Sequence, residues 1–137
     1  MRAFIDTSSL VKKYINESGA GELDTLLEGV SEIIVAPVYW LELNSAIERR
    51  RRAKTLNVQQ AFWIKSEAKK DYIFFNKIIW NENFEAKGLE FIEKYHLKTL
   101  DSIQLASGCL SQADIFITSD KELFATAKKE LKNVKFI

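Results

Sequence analysis

Four carboxylates in the sequence stand at positions from which they could bind a metal ion together. Asp6 directly follows the short apolar run Arg2–Ile5, and Asp120 follows the run Ile115–Ile117 after two polar residues. Both runs predict buried strands. Because ligands of an open α/β sheet bind beside the carboxyl ends of its strands, we expect both acids at one edge of the sheet.

The other two acids are Glu42 and Asp101, which are both predicted to lie near the start of a helix. Glu42 stands in the apolar run Val38–Leu43, where an acid without a compensating charge costs free energy. Asp101 comes two residues after Thr99, which we expect to cap a helix. An acid in a first helical turn often only complements the helix dipole, so the indication of a site comes from the four acids together.

The chemistry of these side chains is that of a site for a hard divalent cation. Oxygen ligands without histidine favour magnesium or manganese over zinc, and four carboxylates could hold one or two ions. The cluster supplies no protein nucleophile, so the attacking group would be a water molecule activated by the metal. The four acids therefore predict hydrolysis of a phosphodiester, with Mg²⁺ or Mn²⁺ as cofactor.

The elements that must position these acids alternate along the chain, which predicts a parallel sheet between two layers of helices. Ser119 and Glu122 have the spacing of a capping box for the last helix. The predicted strands are 2–5, 33–36, 77–80, 115–117 and 134–137, and the longer predicted helices are 38–54, 58–75, 82–95, 99–110 and 120–131.

Length and composition exclude several classes of protein. The 137 residues fit one domain, and a hydrophobic fraction of 47% is typical of folded proteins. The single cysteine, Cys109, excludes an internal disulfide and a zinc site built from cysteines. The N-terminus lacks the apolar stretch of a signal peptide or membrane anchor, so we expect a cytoplasmic protein without a membrane partner.

Other residues that could serve in catalysis or phosphate binding lack the neighbouring residues that such sites need. His96 is the only histidine, so a histidine-based triad is excluded, and its neighbours predict a helix end. Cys109 lies among small and apolar residues and is expected to be a buried hydrophobe rather than a nucleophile. Gly19–Gly21 lacks the spacing and the lysine of a phosphate-binding loop, so ATP is not implied.

Basic residues are concentrated in the middle of the chain. The net charge is only +1, but residues 49–77 contain nine Lys or Arg against two acids, whereas residues 1–48 contain three against eight. A basic band beside an acidic site suits a polyanion. The arginines Arg49, Arg50, Arg51 and Arg52 are candidate contacts for a phosphate backbone, and a solvated helix surface explains them equally well.

The sequence resembles the PIN-domain nucleases, particularly the VapC-type toxins of toxin–antitoxin pairs. The opening segment Phe4–Tyr14 is similar to the start of that family, and the segment Trp40–Leu43 looks like its second acidic motif. The segments Thr99–Ala106 and Ala113–Phe124 look like the third and fourth motifs. Each motif is short, but four in the correct order span nearly the whole chain.

This resemblance implies a PIN-like three-layer α/β/α fold with a central, mostly parallel five-stranded sheet, as a single PIN domain over residues 1–137. It implies metal-dependent endonucleolytic cleavage of RNA that leaves a 5′-phosphate and a 3′-hydroxyl. Asp6, Glu42, Asp101 and Asp120 carry over as the acidic quartet. Ser8 and Thr118 match polar positions beside the quartet, where they would hold the acids or water, and Asp114 is a further acid of this kind.

The resemblance also implies partners. Members of this class are usually homodimers and are neutralised by a cognate antitoxin, whose C-terminal segment lies across the active cleft. An apolar groove is expected to receive that segment. Its candidate lining residues are Tyr39, Trp40, Phe62 and Trp63, although aromatic residues at helical spacing are more often part of a core.

Two other functions remain open. Asp6 after the first strand could be the phosphoacceptor of a phosphotransferase, but Ser8 stands where a haloacid-type phosphatase needs a second Asp. The chain could also be a non-catalytic PIN-like module that binds RNA or protein. An intact quartet argues against this second alternative.

Overall fold

The strands of the protein form one parallel sheet, as described by a computed structural model of residues 1–137. The sheet has five strands in the order β3-β2-β1-β4-β5, and every neighbouring pair is parallel. The strands are β1 (Arg2–Ile5), β2 (Glu32–Val35), β3 (Asn76–Lys77), β4 (Ile115–Thr118) and β5 (Val134–Phe136).

Seven α-helices connect or flank the strands, and a 3-10 helix, Val11–Lys13, extends the first of them. The α-helices are α1 (Thr7–Leu10), α2 (Ala20–Leu27), α3 (Tyr39–Arg52), α4 (Val58–Tyr72), α5 (Glu82–Tyr95), α6 (Thr99–Leu110) and α7 (Lys121–Glu130). No helix is long and apolar enough to span a membrane.

Alternating side chains of the central strands divide the core between the two faces of the sheet. In β1, Ile5 packs in the cluster that includes Leu43 of α3 and Ile64 of α4. Phe4 points to the opposite face and packs in the cluster that includes Phe91 of α5. Because the middle of the sheet is covered on both faces, the central strands β1, β2 and β4 are mostly apolar, whereas the short edge strand β3 is polar and exposed. The predicted α/β class with a central five-stranded sheet is confirmed.

Some predicted boundaries are wrong. The third strand is not 77–80: it ends at Lys77, and Ile79 and Trp80 are exposed beyond the short pairing with β2. Helix α4 ends at Tyr72 rather than at residue 75. Thr99 is the first residue of α6 and does not cap it, because Lys98 occupies the N-cap without a side-chain bond.

The cap of α7 is Asp120, not Ser119. Oδ1 of Asp120 accepts a hydrogen bond of 2.8 Å from the backbone N–H of Leu123. The hydroxyl of Ser119 lies 2.8 Å from that of Ser9 on α1, so it bonds across the sheet edge instead of capping. One of the four acids therefore also fixes the start of a helix.

The close approach of α6 to β4 depends on Gly108. A Cβ at this position would overlap the ring of Phe116, which itself stacks on Phe4 with ring centroids 5.1 Å apart. The absent side chain lets α6, whose first turn carries Asp101, lie directly on the strand that leads to Asp120.

Candidate active site

The four predicted acids line one cavity at the carboxyl ends of the central strands. Asp6 follows β1, Asp120 follows β4, and Glu42 and Asp101 lie in the first turns of α3 and α6. The cavity has a volume of about 600 Å³ and is lined by all four. The parallel topology thus brings together residues that are more than 100 positions apart in sequence.

Asp6 is the most deeply buried of the four, with 5% of its surface exposed. Its Oδ2 accepts hydrogen bonds from the hydroxyls of Ser8, at 2.5 Å, and Thr118, at 2.8 Å. Burial raises the pKa of Asp6 to about 6, the negative charge of Glu42 adds to this rise, and the two hydroxyls oppose it. The carboxylate is therefore costly to ionise but is held in one orientation.

Glu42 is anchored in the same way through a single oxygen. Its Oε1 accepts hydrogen bonds from the hydroxyl of Thr7, at 3.0 Å, and from Nε2 of Gln104, at 2.5 Å. Burial raises the pKa of Glu42, and the nearby charge of Asp101 raises it further, against these two hydrogen bonds.

Asp101 and Asp120 complete the set from the other side of the cavity. Burial raises the pKa of Asp101, and the negative charges of Asp120 and Glu122 contribute to the rise. Asp101 accepts no hydrogen bond from the protein, whereas Asp120 uses Oδ1 to cap α7. The negative charges of Asp101, Asp120 and Glu122 therefore repel one another.

Three of the four acids accept protein hydrogen bonds through only one carboxylate oxygen. In Asp6, Glu42 and Asp120 one oxygen accepts the protein hydrogen bonds and the other accepts none. None of the four forms an ion pair with a lysine or arginine. Oriented, uncompensated oxygen donors are the ligands that hard divalent cations take.

The spacing of these donors limits how an ion would be held. No three histidine, cysteine, aspartate or glutamate side chains stand close enough together to surround one metal ion directly. Magnesium keeps several waters and uses one or two direct carboxylates in most sites, so the donor set fits such an ion. The residues that could hold it are those of the quartet.

Two residues of the site were not predicted from the sequence. Thr7 and Gln104 both bind Glu42, and Gln104 Nε2 also lies 3.2 Å from the hydroxyl of Thr7. Helical spacing could have predicted that Gln104 lies at the site, because residues three positions apart lie on the same face of a helix and Asp101 is three positions earlier.

Asp114, predicted beside the quartet, lies elsewhere. It precedes β4 rather than following it, and its Oδ2 accepts a 2.7 Å hydrogen bond from the backbone N–H of Arg2 at the beginning of β1. It therefore stands at the amino ends of the strands, whereas the cavity lies at their carboxyl ends. The prediction that Asp114 lies beside the quartet is wrong.

Comparison with known proteins gives the family. The PIN domain family model matches residues 3–129, which include all four acids. The chain belongs to the PIN domain family. No curated protein matches it significantly.

Two solved structures share the fold of this PIN domain. A toxin–antitoxin complex from Klebsiella pneumoniae matches with a TM-score of 0.68 and 19% identity, covering 90% of this chain and 90% of that chain. VapC20 of Mycobacterium tuberculosis, described as a sarcin–ricin loop cleaving toxin, matches with a TM-score of 0.69 and 13% identity, covering 90% and 94%.

The four candidate arginines of the PIN domain have different surroundings. Arg49 and Arg50 line the cavity, but Arg50 is held by Glu17 through contacts of 2.8 to 3.1 Å. Arg51 pairs with Glu48 at 2.8 Å, and Arg52 is exposed outside the cavity. Arg49 forms no ion pair and donates only to the hydroxyl of Ser45, at 3.3 Å.

The four aromatic residues predicted to line a groove also differ in how far they are buried. Tyr39 is fully buried in the core, which removes it from any partner surface. Trp40 stacks on Tyr72, with ring centroids 5.1 Å apart. Phe62 and Trp63 on α4 are 73% and 62% exposed. Trp40 is half-buried and lines a surface cavity together with Phe62, whereas Trp63 lines a separate cavity.

His96 and Cys109, which the sequence analysis excluded as catalytic residues, both lie outside the cavity. His96 ends α5 in the left-handed conformation, with φ of 56°, and does not line the cavity. Cys109 is half-buried, and burial raises the pKa of its thiol to about 11. Neither residue offers a nucleophile or base to the site of this PIN domain.

Proposed function

We propose that this PIN domain is a Mg²⁺- or Mn²⁺-dependent endoribonuclease and the toxin of a VapBC-type toxin–antitoxin pair. One observation carries the proposal: four carboxylates without ion pairs line a single cavity, and three of them are oriented through one oxygen while the other oxygen accepts no protein donor. Such an arrangement costs stability unless a cation is bound there.

The chain's own residues orient the cation ligands. Ser8 and Thr118 hold Asp6, and Thr7 and Gln104 hold Glu42. A divalent cation bound by the quartet would supply an activated water and would stabilise charge on the phosphate. No histidine or cysteine lines the cavity, so the reaction proposed is direct hydrolysis. Water would attack the phosphorus and the P–O3′ bond would break, which leaves the 5′-phosphate and 3′-hydroxyl ends that the family resemblance implies.

Arg49 is the residue proposed to contact the RNA backbone. It lines the cavity, carries no ion pair, and lies close enough to Glu42 that its charge slightly opposes the rise that burial causes in the pKa of that carboxyl. A guanidinium group without a carboxylate partner can bind phosphate oxygens through two parallel hydrogen bonds. Arg50 instead holds Glu17 at the cavity wall.

The partners proposed are a cognate antitoxin and a second copy of the chain. The toxin–antitoxin complex from Klebsiella pneumoniae supports the antitoxin, and the sarcin–ricin loop cleaved by VapC20 supports RNA as the substrate class. A short gene adjacent to the gene of this chain is the expected source of the antitoxin. Its purified product should bind the chain and abolish RNA cleavage.

The direct test is cleavage of a mixed RNA pool by the purified chain with Mg²⁺, with Mn²⁺, or with excess chelator. We expect cleavage with either ion, loss of cleavage with chelator, and 5′-phosphate ends on the products. The Asp120→Asn protein should be inactive, with a circular dichroism spectrum like that of the unmodified chain. Folded protein that binds RNA but never cleaves it, at any concentration of either ion, would favour the non-catalytic binding module.

A further inference from the structure

Gln104 links three elements of the active site through one buried amide. It lies on α6 one turn after Asp101, is only 2% exposed, and lines the cavity. Its Nε2 donates to Oε1 of Glu42 on α3 at 2.5 Å and to the hydroxyl of Thr7 on α1 at 3.2 Å. A residue from the third acidic segment therefore holds the acid of the second.

The orientation of this amide follows from its neighbours. Glu42 Oε1 is an acceptor, so the NH₂ group must face it, since the reverse orientation would place two acceptors against each other. In the resulting position, Oε1 of Gln104 is buried and has no hydrogen-bond partner. A buried acceptor without a donor destabilises the folded state, so stability of the fold does not explain why glutamine stands here.

The consequence for Glu42 is a carboxylate with two different oxygens. Thr7 and Gln104 both donate to Oε1, and no protein donor contacts Oε2. A glutamate side chain has three rotatable bonds, so without these contacts its carboxylate would sample several orientations. Two donors on one oxygen restrict this freedom and leave the second oxygen available to a ligand.

We propose that Gln104 is a positioning residue that fixes the Glu42 carboxylate so that Oε2 is presented to the divalent cation. This role rests on the metal-dependent function proposed above. Gln104 does not touch the cation in this proposal: it acts through Glu42, as residues that hydrogen-bond metal ligands do in other sites.

This role has an energetic signature that a residue serving only the fold would not show. Replacing Gln104 with an apolar residue of similar length removes the unpartnered buried acceptor but also removes one of the two donors to the Glu42 carboxylate, so the two effects on the stability of the protein without metal oppose each other. The same change frees the Glu42 carboxylate, so metal affinity should fall. The affinity for the metal should therefore fall much more than the stability of the protein without metal.

The experiment compares the unmodified chain with Gln104→Met and, in parallel, Gln104→Leu, so that a packing problem with one side chain does not decide the result. The control is Ser107→Ala, one turn further along α6, because Ser107 is buried and bonds only to the carbonyl of Ile103 in its own helix. Three quantities are measured: the thermal midpoint without metal, the Kd for Mn²⁺ by calorimetry, and RNA cleavage as a function of Mn²⁺ concentration.

For both Gln104 variants we expect a thermal midpoint without metal close to that of the unmodified chain and a Mn²⁺ Kd raised about 10- to 100-fold, as for other residues that hold metal ligands. Cleavage should recover at high Mn²⁺, because the variants lose affinity rather than the ligand itself. Ser107→Ala should keep the Mn²⁺ affinity of the unmodified chain.

Folded Gln104 variants that bind Mn²⁺ within about twofold of the unmodified chain would overturn this role alone, because the loss expected for such residues is larger. An unmodified chain that binds no Mn²⁺ would overturn the proposed function and this role together. The Mn²⁺ titration of the unmodified chain therefore separates the two failures.

Discussion

The hydroxyl of Thr118 donates a 2.8 Å hydrogen bond to Oδ2 of Asp6, joining the ends of two neighbouring strands. Thr118 is fully buried, and its hydroxyl oxygen also accepts the backbone N–H of Asp120 at 3.1 Å. One side chain thus contacts two of the four acids, so it couples the orientation of Asp6 to the start of α7.

Thr118→Val should impair the site while leaving its charges in place. A hydrogen bond to a carboxylate favours the ionised form, so its loss should raise the pKa of Asp6 further. We expect kcat/KM to fall about 10- to 100-fold and the acidic limb of the pH–rate profile to move to higher pH. Thr118→Ser keeps the donor and is the matched control. Equal pH profiles for the Val and Ser variants would contradict this role.

Asp6→Asn should abolish cleavage and yet stabilise the protein without metal at neutral pH. The pKa of Asp6 rises from 3.8 to about 6 on folding, so the folded state binds more protons in that window. The protonated carboxyl stabilises the folded state fully at pH values below 3.8, the pKa in the unfolded chain. This contribution is lost as the pH rises through about 6, the pKa in the folded state. Removing the buried charge should recover up to about 3 kcal/mol at neutral pH. Urea unfolding at pH 4 and pH 7 measures this.

Divalent cations should reverse the order of stability in that comparison. A ligand that binds only the folded state stabilises it by an amount that grows with the logarithm of the ligand concentration divided by Kd. Millimolar Mn²⁺ should raise the thermal midpoint of the unmodified chain and have a smaller effect on Asp6→Asn. Equal shifts for both proteins would show that Asp6 is not a ligand.

Topology explains why the proximity of acids far apart in the sequence could be predicted. Asp6 and Asp120 each follow an apolar run, and parallel neighbouring strands place their ends at one edge. The resemblance to the family, and not this reasoning, placed Asp114 beside the quartet; this acid precedes its strand and so lies at the other edge. The apolar runs therefore predict the strands of the fold. An acid that follows such a run lies at the site, whereas an acid that precedes it lies at the opposite end of the strand.

Side-chain partners distant in sequence account for the remaining errors. Ser119 has the spacing of a capping residue but bonds to Ser9, and the cap passes to Asp120. The four arginines look equivalent in sequence, and only the folded positions of Glu17 and Glu48 distinguish them. No local pattern encodes such pairings, because they arise when separate elements pack together.

Gly108→Ala should destabilise the fold. A Cβ would overlap the ring of Phe116, which is confined by its stacking on Phe4, so α6 and β4 must separate. We expect a loss of about 1–3 kcal/mol in the free energy of unfolding, measured with urea. Gly21→Ala in α2 is the control, since no atom lies within 4 Å of its added Cβ, and it should stabilise by about 0.5–1 kcal/mol. A Gly108→Ala protein as stable as the Gly21→Ala protein would contradict this packing.

Arg49→Ala should weaken RNA binding without disrupting the fold. Arg49 is the arginine that lines the cavity without an ion pair, so its loss removes one phosphate contact. We expect weaker binding to all RNA sequences and a slope of log K against log salt that is smaller by about 1. The measurement is RNA affinity at several salt concentrations, using the Asp120→Asn background to prevent cleavage. Arg52→Ala is the control of equal charge change, because Arg52 lies outside the cavity. If the two variants lose affinity and salt dependence equally, the basic band acts as a diffuse surface and Arg49 has no specific contact.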